Sequence, residues 1–250
     1  MLLRLAVSSV VYIPRRNLTK KPKTMLSSFD KSTSKSSESG PPYNHFVQIG
    51  DPVLKLKANP VPPETIKSEE IQNVIKSMIY VLDRYDGIGV SAPQIGVPLQ
   101  IFAIQLTKSQ LNRFPETLQI DREMEIVPLQ FFINPTLSVV NNQQIFSREG
   151  CCSLHGFSCR VSRNKAVRVK ALNEKGEDVE VTASGWTSRI IQHEMDHLNG
   201  QMITDRMEGG SLSLEYWNLI NIHRGNFRLS YDGIKAGPKK WFTNFFGKGR

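Results

Sequence analysis

Two histidines four residues apart, with a glutamate directly after the first, form the pattern in this chain that most directly predicts chemistry. They lie in the run HEMDH at residues 193–197. On an α-helix, side chains at i and i+4 share one face, so the imidazoles of His193 and His197 can bind one divalent metal. Glu194 can then contact water at that metal without being a ligand. The alternative is a charged helix face whose histidines belong to a polar network.

The flanking residues favour a buried helix. Trp186 and Ile190 precede the two histidines at helical spacing, so the metal-facing side continues an apolar stripe. Thr182 or Ser184 can cap the start of this helix, and Gly200 is placed where the helix should end. Buried imidazoles need partners, and a metal ion supplies one.

Two histidines leave the coordination sphere incomplete, and the third protein ligand decides the class of enzyme. A histidine three residues beyond the glycine is excluded, because Ile203 occupies that position. A downstream glutamate (Glu208 or Glu215) and an upstream cysteine (Cys151) remain. A thiolate with two imidazoles suits Fe(II), Co(II), Ni(II) or Zn(II) and leaves one position open for water. The alternatives are a buried, unliganded thiol and a closed structural zinc site with Cys152 or Cys159 as fourth ligand. Adjacent cysteines in an extended segment point to opposite faces, which disfavours Cys152.

Three motifs, in their order along the chain, resemble those of the peptide deformylases. They are GIGVSAPQIG at residues 87–96, EGCCS at residues 149–153 and QHEMDHLNG at residues 192–200. The run GDPVL at residues 50–54 is similar to the N-terminal signature of that family, and the resemblance covers residues 47–207. It implies an α+β fold in which antiparallel sheets pack around a central helix that carries the HExxH motif.

The resemblance implies a role for each metal-site residue. Cys151, His193 and His197 become the ligands of one divalent metal per chain. Fe(II) is the usual metal of the family, and Zn(II), Co(II) and Ni(II) are alternatives. The metal lowers the pKa of a water molecule, so that hydroxide attacks the formyl carbon. Glu194 is then the general acid/base, which takes up a proton and delivers it to the departing amine.

The resemblance also implies which groups stabilise the oxyanion and hold the cysteine segment. Gln94 and the backbone N–H of Cys152 would donate hydrogen bonds to the developing oxyanion. Glu149 would form a buried ion pair with Arg163 and so fix the segment that carries the cysteine.

Substrate binding is predicted at four further residues. By resemblance, Ile88 and Gly89 bind the substrate backbone as an added strand. Trp186 and Ile190 are our candidates for the walls of the pocket for the methionine side chain, with ordinary core positions as the alternative.

Three residues depart from the pattern of many bacterial members of the family. Ser91 stands in place of alanine, Cys152 in place of leucine and His155 in place of proline. Because Cys152 would act through its backbone, its side chain should not matter for catalysis. The loss of proline at His155 predicts a looser loop.

Composition predicts three segments. Residues 1–40 hold eight basic and two acidic residues, a net charge of +6 out of the formal +9, and no acid precedes Asp30. A basic, serine-rich and acid-poor start is typical of an organelle transit peptide, with a secretory signal as the alternative. We predict a mitochondrial address, with the plastid as the alternative. Residues 41–210 would form the catalytic domain.

The third predicted segment is a C-terminal extension, residues 211–250, of unassigned role. After Ser230 it is basic and rich in aromatic residues. It could contact ribosomal RNA or a membrane surface. A solvated tail, or one whose aromatic side chains pack onto the domain, is the favoured alternative.

Hydrophobic periodicity supplies the elements that must position these residues. An amphipathic pattern predicts a helix over residues 71–85 that ends at Gly87, and a second helix carries the HExxH motif. Alternating and apolar runs predict strands, the last two joined as a hairpin. The predicted strands are residues 99–106, 131–140, 166–172 and 178–183.

The remaining features bear on compartment and partners. Three cysteines within nine positions form no spread-out disulfide framework, which favours a reducing compartment. No apolar run approaches the ~20 residues of a membrane span. Formyl-methionyl nascent peptides, the mitochondrial ribosome and a second copy in a homodimer are the predicted partners.

The rival functions are a metalloendopeptidase, which Ile203 disfavours, and an inactive metal-binding relative, which Glu194 and Gln94 disfavour.

Overall fold

Six antiparallel strands and one central helix build the structure, a computed structural model that describes residues 40–232. The strands are β1 (Gly89–Ser91), β2 (Ile101–Leu106), β3 (Val127–Gly150), β4 (Phe157–Leu172), β5 (Asp178–Ser184) and β6 (Ser213–Leu214). The helices are α1 (Glu69–Tyr85), α2 (Lys108–Leu111), α3 (Glu116–Asp121), α4 (Gly185–Leu198), α5 (Ile203–Arg206) and α6 (Trp217–Ile222). Neighbouring strands follow the order β1-β2-β3-β4-β5, and β6 pairs with β4. The predicted fold class, α+β with antiparallel strands around the HExxH helix, is confirmed.

Strand β2 explains how the sheet carries a helix on each face. Ile101 and Ala103 belong to the core cluster that α1 covers, whereas Phe102 and Ile104 belong to the cluster around α4. Successive side chains of a strand point to opposite faces, so a strand buried on both faces is apolar throughout. This is why residues 101–104 in the middle of the predicted strand are all hydrophobic.

Helix α1 agrees closely with its amphipathic pattern. The Ser68 side chain accepts a hydrogen bond from the backbone N–H of Ile71 at 3.4 Å, and the helix starts at Glu69. It ends one residue before Asp86, which adopts a left-handed conformation with φ of 54°. The predicted end at Gly87 is therefore close to the observed one.

Strands β3 and β4 are much longer than predicted and form one hairpin, whose turn carries the EGCCS motif. The register of β3 against β4 shifts between Val139 and Asn141 and again between Asn141 and Gln144. These irregularities break the period-two alternation, which hid the second half of β3 in the sequence. β3 pairs with β2 only in its first part, from Val127 to Ile133. Within residues 40–232, no strand pairs with the outer edge of β3 beyond that point.

The first part of the predicted C-terminal extension joins the domain. β6 pairs with β4, and the Glu215 carboxylate accepts a hydrogen bond from Arg148 at 2.9 Å. The Tyr85 hydroxyl donates to the carbonyl of Tyr231 at 2.8 Å. Up to residue 232, this segment therefore packs onto the domain. The basic and aromatic stretch that follows, like the predicted leader at residues 1–39, lies outside the described residues.

The loop at His155, where proline is replaced, has several contacts. The backbone N–H of His155 donates to the Gln48 side chain at 3.2 Å. The imidazole lies 5.3 Å from the ring of Tyr231 and 6.4 Å from that of Tyr216, measured between centroids. Aromatic residues of the C-terminal segment therefore pack against the residue that stands in place of proline.

None of the helices described between residues 40 and 232 is both long and apolar enough to cross a membrane.

Candidate active site

Helix α4 carries the HExxH motif through the middle of the domain. Eleven of its fourteen residues are buried, as a helix enclosed by a sheet requires. Ser184 occupies the N-cap position, although its side chain forms no capping hydrogen bond. Gly200 follows the helix with φ of 70°, a left-handed conformation that favours glycine. Both predicted ends of the helix are therefore close to the observed ones.

The hairpin turn between β3 and β4 brings Cys151 to the two histidines of α4. The sulfur of Cys151 and the ligand nitrogens of His193 and His197 all lie within 4.8 Å of one another. The Cys151 Sγ atom is 3.3 Å from His197 Nε2, and the two imidazole centroids are 5.0 Å apart. The three predicted metal ligands therefore form one cluster.

The alternative third and fourth ligands lie elsewhere. Glu208 forms an ion pair with Arg160, and Glu215 forms one with Arg148. The thiol of Cys159 is buried and points toward the carbonyl of Ile203 at 3.7 Å. In the part of the chain that the structure describes, no fourth His, Cys, Asp or Glu joins the cluster, which argues against a closed structural zinc site.

Three observations show that this cluster suits a divalent metal. The donor set, one sulfur and two imidazole nitrogens, matches known transition-metal sites. Ligands of a tetrahedral ion with bonds of ~2.0–2.3 Å lie about 3.5 Å apart, which the 4.8 Å limit allows after a small adjustment. Burial lowers the pKa of His197, which keeps that imidazole neutral, as metal binding needs. Burial also acts to lower the pKa of His193, but its bonds with Cys151 and Glu149 raise that pKa above its ordinary value.

A buried charge network fixes one of the two histidines. The Glu149 carboxylate accepts two hydrogen bonds from Arg163 at 2.9 Å, one from Arg189 at 2.6 Å and one from Nδ1 of His193 at 3.0 Å. Burial acts to raise the pKa of Glu149, but the bonds from His193 and Arg163 hold it well below its ordinary value. With Nδ1 engaged, His193 has Nε2 left for a metal. The predicted Glu149–Arg163 pair is present within this larger network.

The network contains two residues whose contacts sequence reasoning left open. Arg189 was not singled out, although it precedes His193 by one helical turn and so shares its face; that spacing was the available signal. For Asp196 the sequence indicates no particular partner. Its carboxylate accepts from Arg163 at 2.5 Å and from Arg206 at 2.7 Å.

Glu194 lies beside the cluster, and one of its carboxylate oxygens has no hydrogen-bond partner among the described residues. Its side chain is 2% exposed, and within residues 40–232 no hydrogen-bond partner reaches its Oε2 atom. Burial raises the pKa of Glu194 to about 7. A carboxyl group with such a pKa can both accept and donate a proton near neutrality.

Gln94 is aimed at the cluster by its neighbours. Its Oε1 atom accepts from the backbone N–H of Ser91 at 2.9 Å and from the Ser91 hydroxyl at 3.2 Å. Its Nε2 atom therefore points away, toward Cys151 Sγ at 3.5 Å and Ser153 Oγ at 3.3 Å. Ser91, one of the departures from the bacterial pattern, thus adds a bond that orients Gln94.

The predicted substrate residues surround one cavity, of about 80 Å³. Gly89, Ile88, Trp186 and Ile190 all line it. Its remaining lining includes the predicted catalytic residues Gln94, Cys152 and Glu194, together with Cys151, His193 and Arg189. Cys152 also begins a short 3₁₀ helix, Cys152–Leu154, whose leading N–H groups have no partner within the helix. An apolar side chain bound here would lie directly beside the metal-ligand cluster.

We expect Gly89→Ala to lower kcat by about 10²-fold without unfolding the protein. A Cβ atom at Gly89 would lie 2.3 Å from Glu194 Oε1, so the carboxylate must move, and such misplacement costs about that much. Gly209→Ala is the control, because no atom lies within 4 Å of a Cβ placed there. The measurement is steady-state hydrolysis together with thermal unfolding. A Gly89→Ala variant with wild-type kcat would show that catalysis does not depend on the present position of the Glu194 carboxylate.

A helix that carries two histidines and a buried glutamate, completed by a cysteine from a β-hairpin, corresponds to the metal-dependent hydrolases of the HExxH type. Residues 43–211 match the family model of polypeptide deformylase. The chain therefore belongs to the polypeptide deformylase family, metal-dependent hydrolases that remove N-terminal formyl groups. The family and enzyme class predicted from the motifs are confirmed.

Two relatives and two solved structures illustrate this membership. The chain is 40% identical to human mitochondrial peptide deformylase over 181 residues, which is 72% of this chain and 74% of that protein. It is 42% identical to the chloroplastic/mitochondrial peptide deformylase 1A of Arabidopsis thaliana over 162 residues, 65% of this chain and 60% of that protein. The deformylase structure from Thermotoga maritima has a TM-score of 0.55 at 30% identity, covering 66% of this chain and 98% of that one. The Synechococcus elongatus deformylase in complex with actinonin has a TM-score of 0.55 at 31% identity, covering 71% and 85%.

Proposed function

We propose that this protein hydrolyses the formyl group from the N-terminal formyl-methionine of nascent polypeptides made inside an organelle. The observation that supports this is the convergence of Cys151, His193, Glu194 and Gln94 on one mostly apolar cavity, with His197 next to Cys151 and His193. The thiol of Cys151 and the imidazoles of His193 and His197 lie within 4.8 Å of one another, and Glu194 and Gln94 line the cavity beside them.

The chain's own groups suffice to move the protons of this reaction. Glu194 takes one proton from the water that attacks the formyl carbon and delivers it to the methionine nitrogen as the carbon–nitrogen bond breaks. The products are formate and a free N-terminal amine. Because burial raises its pKa to about 7, the Glu194 carboxyl group is present in both its protonated and its deprotonated form near neutral pH. A divalent metal held by Cys151, His193 and His197 supplies Lewis-acid polarisation when bound.

Two donors would stabilise the charge that develops on the formyl oxygen. The Nε2 atom of Gln94 is held in place through Ser91, so no reorganisation is needed during the reaction. The backbone N–H of Cys152 would supply the second hydrogen bond. Because this donor belongs to the backbone, a cysteine side chain in place of leucine leaves it intact.

The metal that we propose for the cell is Fe(II), with Zn(II), Co(II) and Ni(II) as alternatives. The test is formate release from a formyl-methionyl tripeptide by the full chain, prepared anaerobically and loaded with each metal in turn. We expect release to require metal, to stop on chelation and to return on reloading. A folded, metal-loaded protein that releases no formate would favour an inactive metal-binding relative. Cleavage within an unformylated peptide would favour the endopeptidase.

We further propose a mitochondrial location, with the plastid as the alternative. Residues 1–40 support this through their charge and composition, and the relatives compared above carry mitochondrial and chloroplast names. Isolated mitochondria should import the full chain but not a chain that lacks these residues. Import of the shortened chain would contradict the proposal.

Formyl-methionyl nascent peptides are the proposed partners, presented by the mitochondrial ribosome. Co-sedimentation with mitochondrial ribosomes tests that contact. A homodimer is proposed as the oligomeric state, and a monomer mass in sedimentation equilibrium would exclude it.

A further inference from the structure

The α6 loop, residues 217–226, is held at both ends and exposed between them. The residues that flank it, Tyr216 and Phe227, pack together with ring centroids 5.4 Å apart. Tyr216 also lies against the domain, with its ring centroid 6.4 Å from that of His155. Eight of the ten residues between the two aromatic side chains are exposed. The loop therefore extends into solvent from a fixed base.

Two large apolar side chains of this loop face water. Trp217 is 60% and Ile222 is 68% exposed, whereas Trp186 in the core is 5% exposed. Tryptophan and branched aliphatic side chains are favoured where a protein contacts the interface of a lipid bilayer. RNA is bound through charge and aromatic stacking, from which an aliphatic side chain gains little. The exposed isoleucine thus favours a lipid surface over RNA as the partner.

The charge of the protein is divided along the chain in a way that selects the same surface. Residues 40–215 contain 17 basic and 20 acidic residues, whereas residues 216–250 contain seven basic and one acidic residue. Arg224 lies within the α6 loop and Arg228 just beyond it. An anionic surface would therefore repel the body of the domain and attract the end of the chain that carries the α6 loop.

We propose that the α6 loop binds the surface of an anionic phospholipid bilayer. Trp217 and Ile222 enter the headgroup region, and Arg224 and Arg228 lie near the lipid phosphates. Five basic residues between positions 233 and 250, outside the described residues, add to the attraction. Among the described residues, those that line the catalytic cavity do not include the α6 loop, so this binding is separate from the proposed reaction.

The first test follows the fluorescence of Trp217 in the full chain loaded with Zn(II). The difference in emission between the wild-type protein and Trp217→Phe isolates this side chain. With vesicles of phosphatidylcholine and about one quarter phosphatidylglycerol, this emission should shift to shorter wavelength, and brominated acyl chains should quench it. Pure phosphatidylcholine vesicles should have a much smaller effect. Residues 1–39 are basic but contain no tryptophan, so binding through them alone would leave Trp217 unquenched and would overturn the inference.

A second test measures the contribution of charge by co-sedimentation with the same vesicles. The double variant Arg224→Gln with Arg228→Gln should bind about 20-fold more weakly, because each basic residue near an anionic surface contributes about fivefold. The control is Arg168→Gln with Lys170→Gln, which removes the same charge from β4, where both side chains pair with Glu180. The control should change vesicle binding by less than about twofold. Equal effects of the two double variants would contradict a localised site.

A third test separates lipid from the other possible partners. Ile222→Ser should weaken vesicle binding about tenfold, whereas Ile120→Ser, at a 72% exposed position on α3, should leave it unchanged. The inference would be overturned if Ile222→Ser left vesicle binding intact while the double arginine variant lost affinity for single-stranded RNA. It would also be overturned if Ile222→Ser changed the mass in sedimentation equilibrium, which would assign the loop to contact between copies.

The hydrolysis of a formyl-methionyl tripeptide in solution is the common control. All of these variants should retain it, because each replaces an exposed side chain outside the catalytic cavity. A wild-type protein that binds vesicles through Trp217 but hydrolyses no tripeptide would count against the proposed function alone.

Discussion

Replacement of Glu194 by glutamine should abolish almost all formate release while the protein keeps its fold and its metal. Glutamine matches glutamate in size but cannot take up a proton from water or return one to the departing amine. A general acid/base contributes about 10²–10⁴-fold to the rate. We expect a loss of kcat at the upper end of that range, because Glu194 is the one carboxylate that lines the cavity with an oxygen unengaged within residues 40–232.

Stability and metal content should change little in this variant. The Oε2 atom of Glu194 is buried without a hydrogen-bond partner in the described part of the chain, so the amide replaces no stabilising contact there. Metal analysis and thermal unfolding of the same preparation check both points. Glu208→Gln is the matched control, because Glu208 is exposed and pairs with Arg160 away from the cavity. A Glu194→Gln variant that retained a tenth or more of the wild-type kcat would exclude Glu194 as the proton carrier.

Replacement of Arg163 by alanine should destabilise the fold, and this loss of stability should be larger than any direct effect on the catalytic rate. Arg163 is 4% exposed and contacts Glu149 and Asp196, so its removal leaves two buried carboxylates with fewer partners. Breaking a buried ion pair in this way typically costs about 3–5 kcal/mol of the free energy of unfolding. Against a total stability of about 5–15 kcal/mol, this should greatly reduce the yield of soluble protein.

The same strand offers a control of the same residue type. Arg168 pairs with Glu180 at 3.3 Å, but both side chains are nearly half exposed, so Arg168→Ala should cost less than about 1 kcal/mol. Urea unfolding of the two variants measures the difference. A fully stable Arg163→Ala protein that had lost activity would show that this arginine serves catalysis directly. Partial metal loss is expected alongside instability, because Glu149 also holds His193.

The network around Glu149 links protein stability to metal-site geometry. The Glu149 carboxylate accepts hydrogen bonds from Arg163 of β4 and from Arg189 and His193 of α4, so its position depends on the folded core. In return it fixes the orientation of the imidazole before any metal arrives. A ligand held in this way loses little conformational freedom on binding, which favours metal affinity.

The sequence by itself determined the features that depend on local periodicity. An i, i+4 spacing places His193 and His197 on one helix face whatever surrounds the helix. The amphipathic pattern likewise located α1 to within two residues at its start. The apolar run of β2 followed from burial on both faces. The family resemblance selected Cys151 among the candidate third ligands, and it added Gln94 and the Glu149–Arg163 pair, which no spacing could supply.

Only the tertiary structure decided which distant groups meet. The i, i+4 spacing places Arg189 on the same helix face as His193, but only the fold shows that it contacts Glu149 at 2.6 Å and lines the catalytic cavity. The length of β3 was hidden because its irregular stretch loses the period-two alternation, and its free edge exists only because β2 stops pairing at Ile133. Such features come from long-range pairing and packing, which short-range side-chain patterns do not encode.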